Sequence, residues 1–564
     1  MPEKRWTLKP ADDAVVTRLR EELNIHPALC RLLAVRGIND FEQARQFFRT
    51  DASHLHDPFL MKGMESAVER IHRAIAAGEK ILIYGDYDVD GTTAVAMVYS
   101  FFRSLHEPVA FYIPHRFAEG YGVSAKGIDY AADNGYSLII TLDCGIKSGP
   151  LIERAAGLGI DVIVCDHHMP DEELPPAYAI LNPKQKDCPY PYKELCGCGV
   201  GYKLICGYAQ RYGHEELTGR HLDLLATAIA ADIVPITGEN RTMCVLGLQK
   251  ANHDPSVPLR ALRHISGLDK PFTISDLVFI IAPRVNAAGR MDDARRAVEL
   301  FIQDDEAEAK KIAAELQENN NDRKEVDKQT TEEALQLLRD NEEHLELRST
   351  VVYQPHWHKG VVGIVASRLI EHHYRPTIVL THSNGKVTGS ARSIKGFNLF
   401  EGLNRCSEFL ETYGGHYFAA GLTMMEENLQ AFRERFDAVV RGMVPEDMFQ
   451  PEIEIDAELS LSDLSASFMN ILKQFGPHGP DNMKPVFLTR GLRDHQGMSA
   501  VVKEKHLRVV VSQPGSPALS GIGFNMGHLI DAVKSKPRFD MLYHLEENEW
   551  QGQVSLQLRI LDVR

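Results

Sequence analysis

The sequence predicts an α/β protein of three bodies: a doubly wound parallel sheet, a smaller α/β domain joined to it by a long helix, and a C-terminal antiparallel β-barrel. Three observations predict this. Apolar runs of strand length alternate with helical patterns between residues 81 and 165. A highly charged stretch rich in helix formers fills 303–345. The tail from about 450 is a series of short strand-like runs separated by turns.

Residues 1–60 are polar and mixed, and we read them as an N-terminal extension without a chemical signal. The pattern changes at Lys80. ILIYGD (81–86), VAFYI (109–113), SLIITL (137–142) and DVIVC (161–165) are apolar throughout, with helical patterns such as TTAVAMVYSFFRSL (92–105) between most of them. Strands apolar on both faces and alternating with helices indicate a parallel sheet covered on both sides. This domain is expected over 61–255. An interdomain region and connecting helix follow over 256–345, whose charged segment reads as a solvated helical connector. From Ser349, TVVYQ, VVGIVASRLIEHH, TIVLT and KVTGSARS repeat the α/β pattern, giving a second domain over 346–445. In 446–564, IEIDAEL, PVFLTRGLR, HLRVVVS, ALSGIGF, FDMLYHL and VSLQLRILDV suit a small antiparallel barrel.

The 564 residues exceed one compact core, and 44% hydrophobic with 25% charged residues is ordinary globular composition. No apolar run approaches the ~20 residues that span a bilayer, and MPEKRWTLKPADD lacks the apolar stretch of a signal peptide. Nine cysteines, an odd number in so long a chain, do not form a disulfide framework, so a reducing cytoplasm is the expected compartment. The formal charge of −16 argues weakly against nucleic acid. It is an average, however, and acidic ligands plus the acidic helix leave room for a local basic groove.

The candidate chemistry lies where strands stop. ILIYGD runs into Asp86, Asp88 and Asp90, SLIITL into Asp143, and DVIVC into Asp166, His167 and His168. Ligands of open α/β sheets bind beyond the carboxyl ends of the strands, so clusters distant in sequence should converge on one crevice. Asp232, after the helical HLDLLATAIAA, can reach that crevice from a helix end. Packed carboxylates repel unless cations neutralise them, and carboxylates with imidazoles suit Mn²⁺ or Mg²⁺ better than thiolate-seeking metals. Two such ions sharing a carboxylate form a phosphodiester-cleaving centre. Asp143, alone at the end of a central strand, is the candidate for the shared ligand.

Plainer readings exist for each part. An acidic triplet also builds a calcium loop, but the EF-hand Glu position is Met97 here. A lone Asp at a strand end is often a helix cap. Cys188, Cys196, Cys198 and Cys206 lack the paired spacing of a zinc site and read as buried thiols. No GxSxG elbow and no GxxxxGK[ST] loop occurs.

YGDYDVDGTTA, TLDCGI, CDHH and ADIVP resemble the successive motifs of the DHH phosphoesterase superfamily. PRVNAAGRM, GVVGIVASRL, GSARS and GGHYFAAGL are similar to the companion DHHA1 domain of its RecJ branch, and the tail resembles the oligonucleotide-binding (OB) barrel that follows there. The resemblance holds in order over about 80–425 and implies a 5′→3′ exonuclease on single-stranded DNA, acting in DNA repair and recombination with two Mn²⁺ or Mg²⁺ ions. It implies metal-ligand roles for Asp88, Asp90, Asp143, His167 and Asp232. Asp86 belongs to the motif with a less defined role, and His168 lies beside the scissile phosphate. Many relatives carry a ligand histidine where this chain has Tyr84, which puts one metal site in doubt. Arginine's planar fork suits phosphate oxygens, so Arg116, Arg284, Arg290, Arg368 and Arg392 are expected on the substrate. Ser390 with Arg392 resembles the pocket for a terminal 5′ phosphate, and His416 is placed near the scissile region. The resemblance further implies a monomer, with single-strand-binding protein and a RecQ-type helicase as partners. Two alternatives stay open: a DHH phosphodiesterase of short oligonucleotides or cyclic dinucleotides, and a non-enzymatic replication scaffold.

Overall fold

The computed structural model describes residues 4–340, 343–550 and 552–564. A short strand, β1 (Arg5–Leu8), precedes the main sheet, which comprises β2 (Ile81–Gly85), β3 (Val109–Tyr112), β4 (Leu138–Leu142), β5 (Asp161–Cys165) and β6 (Ala179–Leu181). The sheet order is β3-β2-β4-β5-β6 and every pairing is parallel. β2 and β4 are buried along their whole length, as their unbroken apolar runs demand. In this doubly wound order the sheet's first strand along the chain, β2, lies between β3 and β4. Connections therefore diverge beyond Gly85 and Leu142, the place where such folds hold their ligands.

The smaller sheet contains β7 (Thr350–Tyr353), β8 (Thr377–Ser383), β9 (Lys386–Arg392), β10 (Thr412–Gly415) and β11 (Ala419–Met424), in the order β10-β11-β9-β8-β7. β7 and β8 pair in parallel and the other strands antiparallel. After β12 (Glu452–Ile455) and β13 (Ala457–Glu458), the tail forms β14 (Phe487–Asp494), β15 (Ala500–Val502), β16 (His506–Ser512), β17 (Leu519–Gly523), β18 (Phe539–Trp550) and β19 (Gln553–Val563). Strands β14, β18, β19, β17 and β16 pair in turn, and β16 returns to β14, so five strands close a barrel. One of these five pairings, β17 with β19, is parallel, which makes the sheet mixed rather than wholly antiparallel.

Two features depart from the sequence reading. Residues 5–48 are not a detached extension. β1 pairs with β12, and Leu19, Leu29, Leu32 and Leu33 share one core with Phe487, Val509 and Tyr543 of the barrel. The connector is a 35-residue helix, Glu306–Asp340, but it is not solvated all round. Ala309, Ile312, Ala313 and Leu316 enter the core of the large domain, while Ala334 and Leu338 pack with Trp357 and Val365 of the small one. Between these apolar ends, Asn320 and Asp327 are fully buried. At ~1.5 Å per residue the helix is a strut ~50 Å long, and it fixes the small domain over the strand ends of the large one. Residues 341 and 342, at the end of the predicted connector, lie outside the described residues.

Candidate metal and phosphate site

The chain turns sharply after each strand of the main sheet. Asp143 follows β4 with φ 59°, a left-handed conformation that Asp tolerates better than most residues. Asp88 caps the helix Val89–Leu105, its Oδ1 accepting from the Gly91 N–H at 3.0 Å. Asp90, in the first turn of that helix, accepts from the Gly197 and Cys198 N–H groups at 2.6 and 2.8 Å. Those donors open the helix Gly197–Tyr212. A Cβ on Gly197 would stand 2.5 Å from the Asp143 Cβ, so only glycine lets this helix start so close to the site.

Two separate triads of ligand atoms result. Asp86, Asp88 and Asp143 form one, and Asp90, His167 and Asp232 the other, each with its atoms within 4.8 Å of one another. Asp143 joins them: its Oδ1 lies 3.1 Å from His167 Nε2, which is 3.6 Å from Asp232 Oδ2 and 4.0 Å from Asp90 Oδ2. Asp143, His167 and His168 also meet the same 4.8 Å limit. The buried atoms Asp143 Oδ1, Asp232 Oδ2 and His167 Nε2 make no hydrogen bond within the protein. Buried polar atoms are rarely left so, and an all-oxygen-and-imidazole set fits hard divalent cations.

The electrostatics agree. Burial, then repulsion from Asp90 and Asp88, holds Asp143 and Asp232 well above the usual carboxylate range. Burial with Asp88 does the same to Asp86 and brings Asp90 up to about 6. Burial, helped by His168, lowers His167 to about 3, leaving a neutral imidazole ready to ligate. The outer histidine is different. Burial is the largest influence and works to raise Asp166 and lower His168, but their 2.7 Å hydrogen bond and mutual attraction, with the Ile146 N–H on Asp166 and the charges of Asp90 and Asp88 on His168, together take Asp166 down to about 2 and His168 up. His168 is thus shifted toward its protonated form and oriented by a fixed carboxylate.

Tyr84 does not face the metal triads. Its hydroxyl donates to the Gly122 carbonyl at 3.0 Å and accepts from the Ser124 N–H at 3.1 Å, while the Gly122 N–H points to Asp86 Oδ1 at 3.4 Å. The residue shapes the 121–124 loop, and Asp86, Asp88 and Asp143 bring three carboxylates together beside it. The same loop supplies Tyr121, unforeseen in the sequence, whose hydroxyl donates to the Asp143 carbonyl at 3.0 Å and lies 3.2 Å from His168 Nε2.

Cations face this crevice from both domains, Arg116 and Arg290 before the strut helix and Arg392 and His416 in the small domain. Arg290 is half-buried, donates to the Gly360 carbonyl at 3.0 Å and is lowered to about 10 by burial and by the charges of Arg116, Arg392 and Arg323. Arg116 lies over the Tyr87 ring at 4.7 Å. Arg392 is lowered by burial and Arg116, and His416 by burial, Arg392 and His168, so these groups belong to one surface. A Cβ on Gly363 would stand 2.9 Å from Arg392 Nη2 and 3.2 Å from Ser390 Oγ. The start of the helix Val362–His372 therefore closes a niche around Ser390 and Arg392.

Arg284 and Arg368, also expected on the substrate, make contacts within the protein. Arg284 donates to Gln317 Oε1 at 2.7 Å and to the Ile280 carbonyl. Arg368 pairs with the buried Asp327 at 2.6 Å, beside Arg323 at 3.7 Å. Each guanidinium thus has at least one nitrogen engaged by the strut helix, and the Arg368 side chain stays 41% exposed. Cys188, Cys196, Cys198 and Cys206 are free thiols, and none joins a metal-like group among the described residues.

Carboxylates and imidazoles gathered at the switch point of a doubly wound sheet, facing a cationic niche, define a metal-dependent phosphoesterase centre. Family profiles agree: the DHH family N-terminal domain matches residues 80–229, the DHHA1 domain 347–442 and the RecJ OB domain 455–562. The single-stranded-DNA-specific exonuclease RecJ of Bacillus subtilis is 38% identical over 99% of this chain and 70% of its own length. Those of Dickeya dadantii (36%; 97% and 99%) and Escherichia coli (34%; 95% and 95%) align along nearly their whole length. The crystal structure of Thermus thermophilus RecJ with Mn²⁺ superposes with a TM-score of 0.84 at 27% identity, covering 99% of this chain and 79% of that one. The same protein with Mg²⁺ gives 0.79 at 26%, covering 99% and 78%. The chain belongs to the RecJ family.

Proposed function

We propose that the chain is a single-strand-specific DNA exonuclease that hydrolyses phosphodiester bonds at a two-metal centre held by Asp86, Asp88, Asp90, Asp143, His167 and Asp232. The observation that carries this reading is the pair of ligand triads joined at Asp143, with their buried unpartnered atoms. Mn²⁺ and Mg²⁺ are the ions found in the solved RecJ relatives, and bound there such ions supply Lewis-acid polarisation of the phosphate and acidify water. His168, steered by Asp166, donates to a phosphate oxygen. The Ser390–Arg392 niche receives a terminal 5′ phosphate, which sets a 5′→3′ direction. Arg116, Arg290 and His416 hold the phosphates between niche and triads.

The retained ligand set counts against a scaffold, and the barrel at 446–564 counts against a dinucleotide-only enzyme. The wider reading places the chain in DNA repair and recombination in the cytoplasm, as a monomer cooperating with single-strand-binding protein and a RecQ-type helicase. No helix among the described residues is long and apolar enough to cross a membrane. The test is a Mn²⁺-titrated nuclease assay on 5′-labelled single strands, duplexes and dinucleotides. Metal-dependent loss of mononucleotides from single strands alone is expected. Cleavage confined to dinucleotides, or binding without cleavage, would overturn it.

A further inference from the structure

One residue at the edge of the site is in a conformation its chemistry disfavours. Ile233 has φ 61°, the left-handed region, where a β-branched side chain crowds its own backbone. It directly follows Asp232, whose Oδ2 lies 3.6 Å from His167 Nε2. Both flanks are fixed. Asp232 ends the helix Leu222–Ala231, its N–H donating to the Ala228 carbonyl at 2.9 Å. Beyond it, the Pro235 carbonyl accepts from Tyr192 at 3.3 Å and Asn240 at 3.0 Å, and the Ile236 N–H donates to the Pro480 carbonyl at 2.8 Å. The left-handed turn is thus imposed on residue 233 by the structure around it.

Glycine would make this turn without strain. The isoleucine side chain gives nothing back inside the protein: Ile233 is 68% exposed, while Val234 and Ile236 on the same loop are 8% and 1% exposed and join the core. Strained residues of this kind cluster where a ligand is handled. A carboxylate ligand and an exposed apolar side chain on adjacent residues place a non-polar surface beside the reacting phosphate. The apolar part of a nucleotide there is its base and the face of its sugar.

We propose that Ile233 is a positioning residue that packs against the base of the terminal nucleotide and seats its phosphate over the metal triads. This rests on the exonuclease reading above. A strained turn can matter in two ways, through its backbone or through its side chain. If the turn alone matters, glycine should serve as well or better. If the side chain matters, glycine should relieve strain yet weaken substrate binding.

The experiment compares wild type, Ile233→Gly and Ile233→Val on 5′-phosphorylated oligonucleotides whose terminal nucleotide is either intact or abasic. Steady-state kinetics are run in Mn²⁺, and equilibrium binding of the same strands is read in Ca²⁺. Ile233→Gly is expected to raise Tm by a few degrees and to raise KM and Kd roughly 10-fold, the scale of one lost apolar contact. On the abasic strand that penalty should vanish, because the two changes remove one contact. Ile233→Val should stay near wild type. Unchanged KM and Kd in Ile233→Gly would overturn the proposal, as would an equal penalty on abasic ends. Failure of the wild type to cleave any single strand would strike the exonuclease reading, and the binding arm would still decide the role of Ile233.

Discussion

Replacing Asp143 by asparagine should make the metal-free protein more stable while destroying its response to Mn²⁺. The side chain is nearly isosteric, and asparagine tolerates the φ of 59° that this position needs. Oxygens of Asp86, Asp88 and Asp143 lie within 4.8 Å. Two unit charges at that separation repel by about 3.5 kcal/mol at an effective dielectric of about 20. Partial protonation of the cluster relieves some of this, since Asp143 and Asp86 are held well above the usual carboxylate range. Removing one charge should then return about 2 kcal/mol in EDTA, roughly 4–8 °C in Tm for a body of this size. Saturating Mn²⁺ at about 100 times Kd stabilises the wild type by about 2.7 kcal/mol, and the variant should lose most of that. The order of the two melting curves therefore inverts on adding metal, and cleavage falls by orders of magnitude. The assay is differential scanning fluorimetry in EDTA and in Mn²⁺, with nuclease activity alongside. A variant less stable than wild type in EDTA, or shifted equally by Mn²⁺, would refute this account of the cluster.

Three further outcomes follow from the same geometry. Asp90 titrates near 6 in the folded protein, above the ~3.9 of an unfolded chain. A raised folded pKa stabilises below the unfolded value and is lost as pH rises through the folded one, so the metal-free Tm of wild type measured against Asp90→Asn, which cancels the opposing lowered histidines, should climb as pH drops from about 8 to about 5. A flat profile in EDTA would contradict this. Arg368→Ala removes the 2.6 Å partner of the buried Asp327, leaving Arg323 at 3.7 Å and the weaker influence of Thr331 and Arg290, and should cost about 2 kcal/mol in urea unfolding. An unchanged midpoint would show that the pair is not structural. Arg392→Ala should slow cleavage of 5′-phosphorylated ends about 10- to 100-fold, the value of a charge-assisted contact, and leave 5′-hydroxyl ends nearly unaffected. Equal losses on both would remove the niche from end recognition.

The catalytic sheet was legible because its strands are short and apolar throughout, a pattern that neither an amphipathic helix nor a half-exposed strand produces. Strand ends then located Asp86, Asp143 and Asp166 without a structure. The residues between the clusters were legible only in part. Gly197 carries no local signal that it must sit against Asp143, since its partner is 54 residues away in sequence and the constraint exists only once the helix docks. Residues 5–48 looked featureless because their apolar face is short and is completed by strands more than 400 residues later. Arg284 and Arg368 lie within motifs that do build the site, and their type suited phosphate. What the sequence could not show is that the connecting helix carries acceptors, Gln317 and the buried Asp327, within reach of each guanidinium.

The net charge of −16 is the clearest case of a global sum misreporting a local field. Part of the acid lies in the crevice itself, where bound cations would cancel it, and part lies on the exposed face of the strut helix, in residues such as Glu308 and Glu325. The guanidiniums that face the crevice are few but close together. Arg116, Arg392 and Arg323 press on Arg290 strongly enough, with burial, to lower it to about 10. Asp88 works the other way on Arg290, but more weakly than any of those three charges. A phosphate arriving there relieves repulsion among the arginines on one side and, once metals are bound, between those cations on the other. In the exonuclease reading, the acidic chain binds an acidic polymer where the fold has separated cations from their counter-ions.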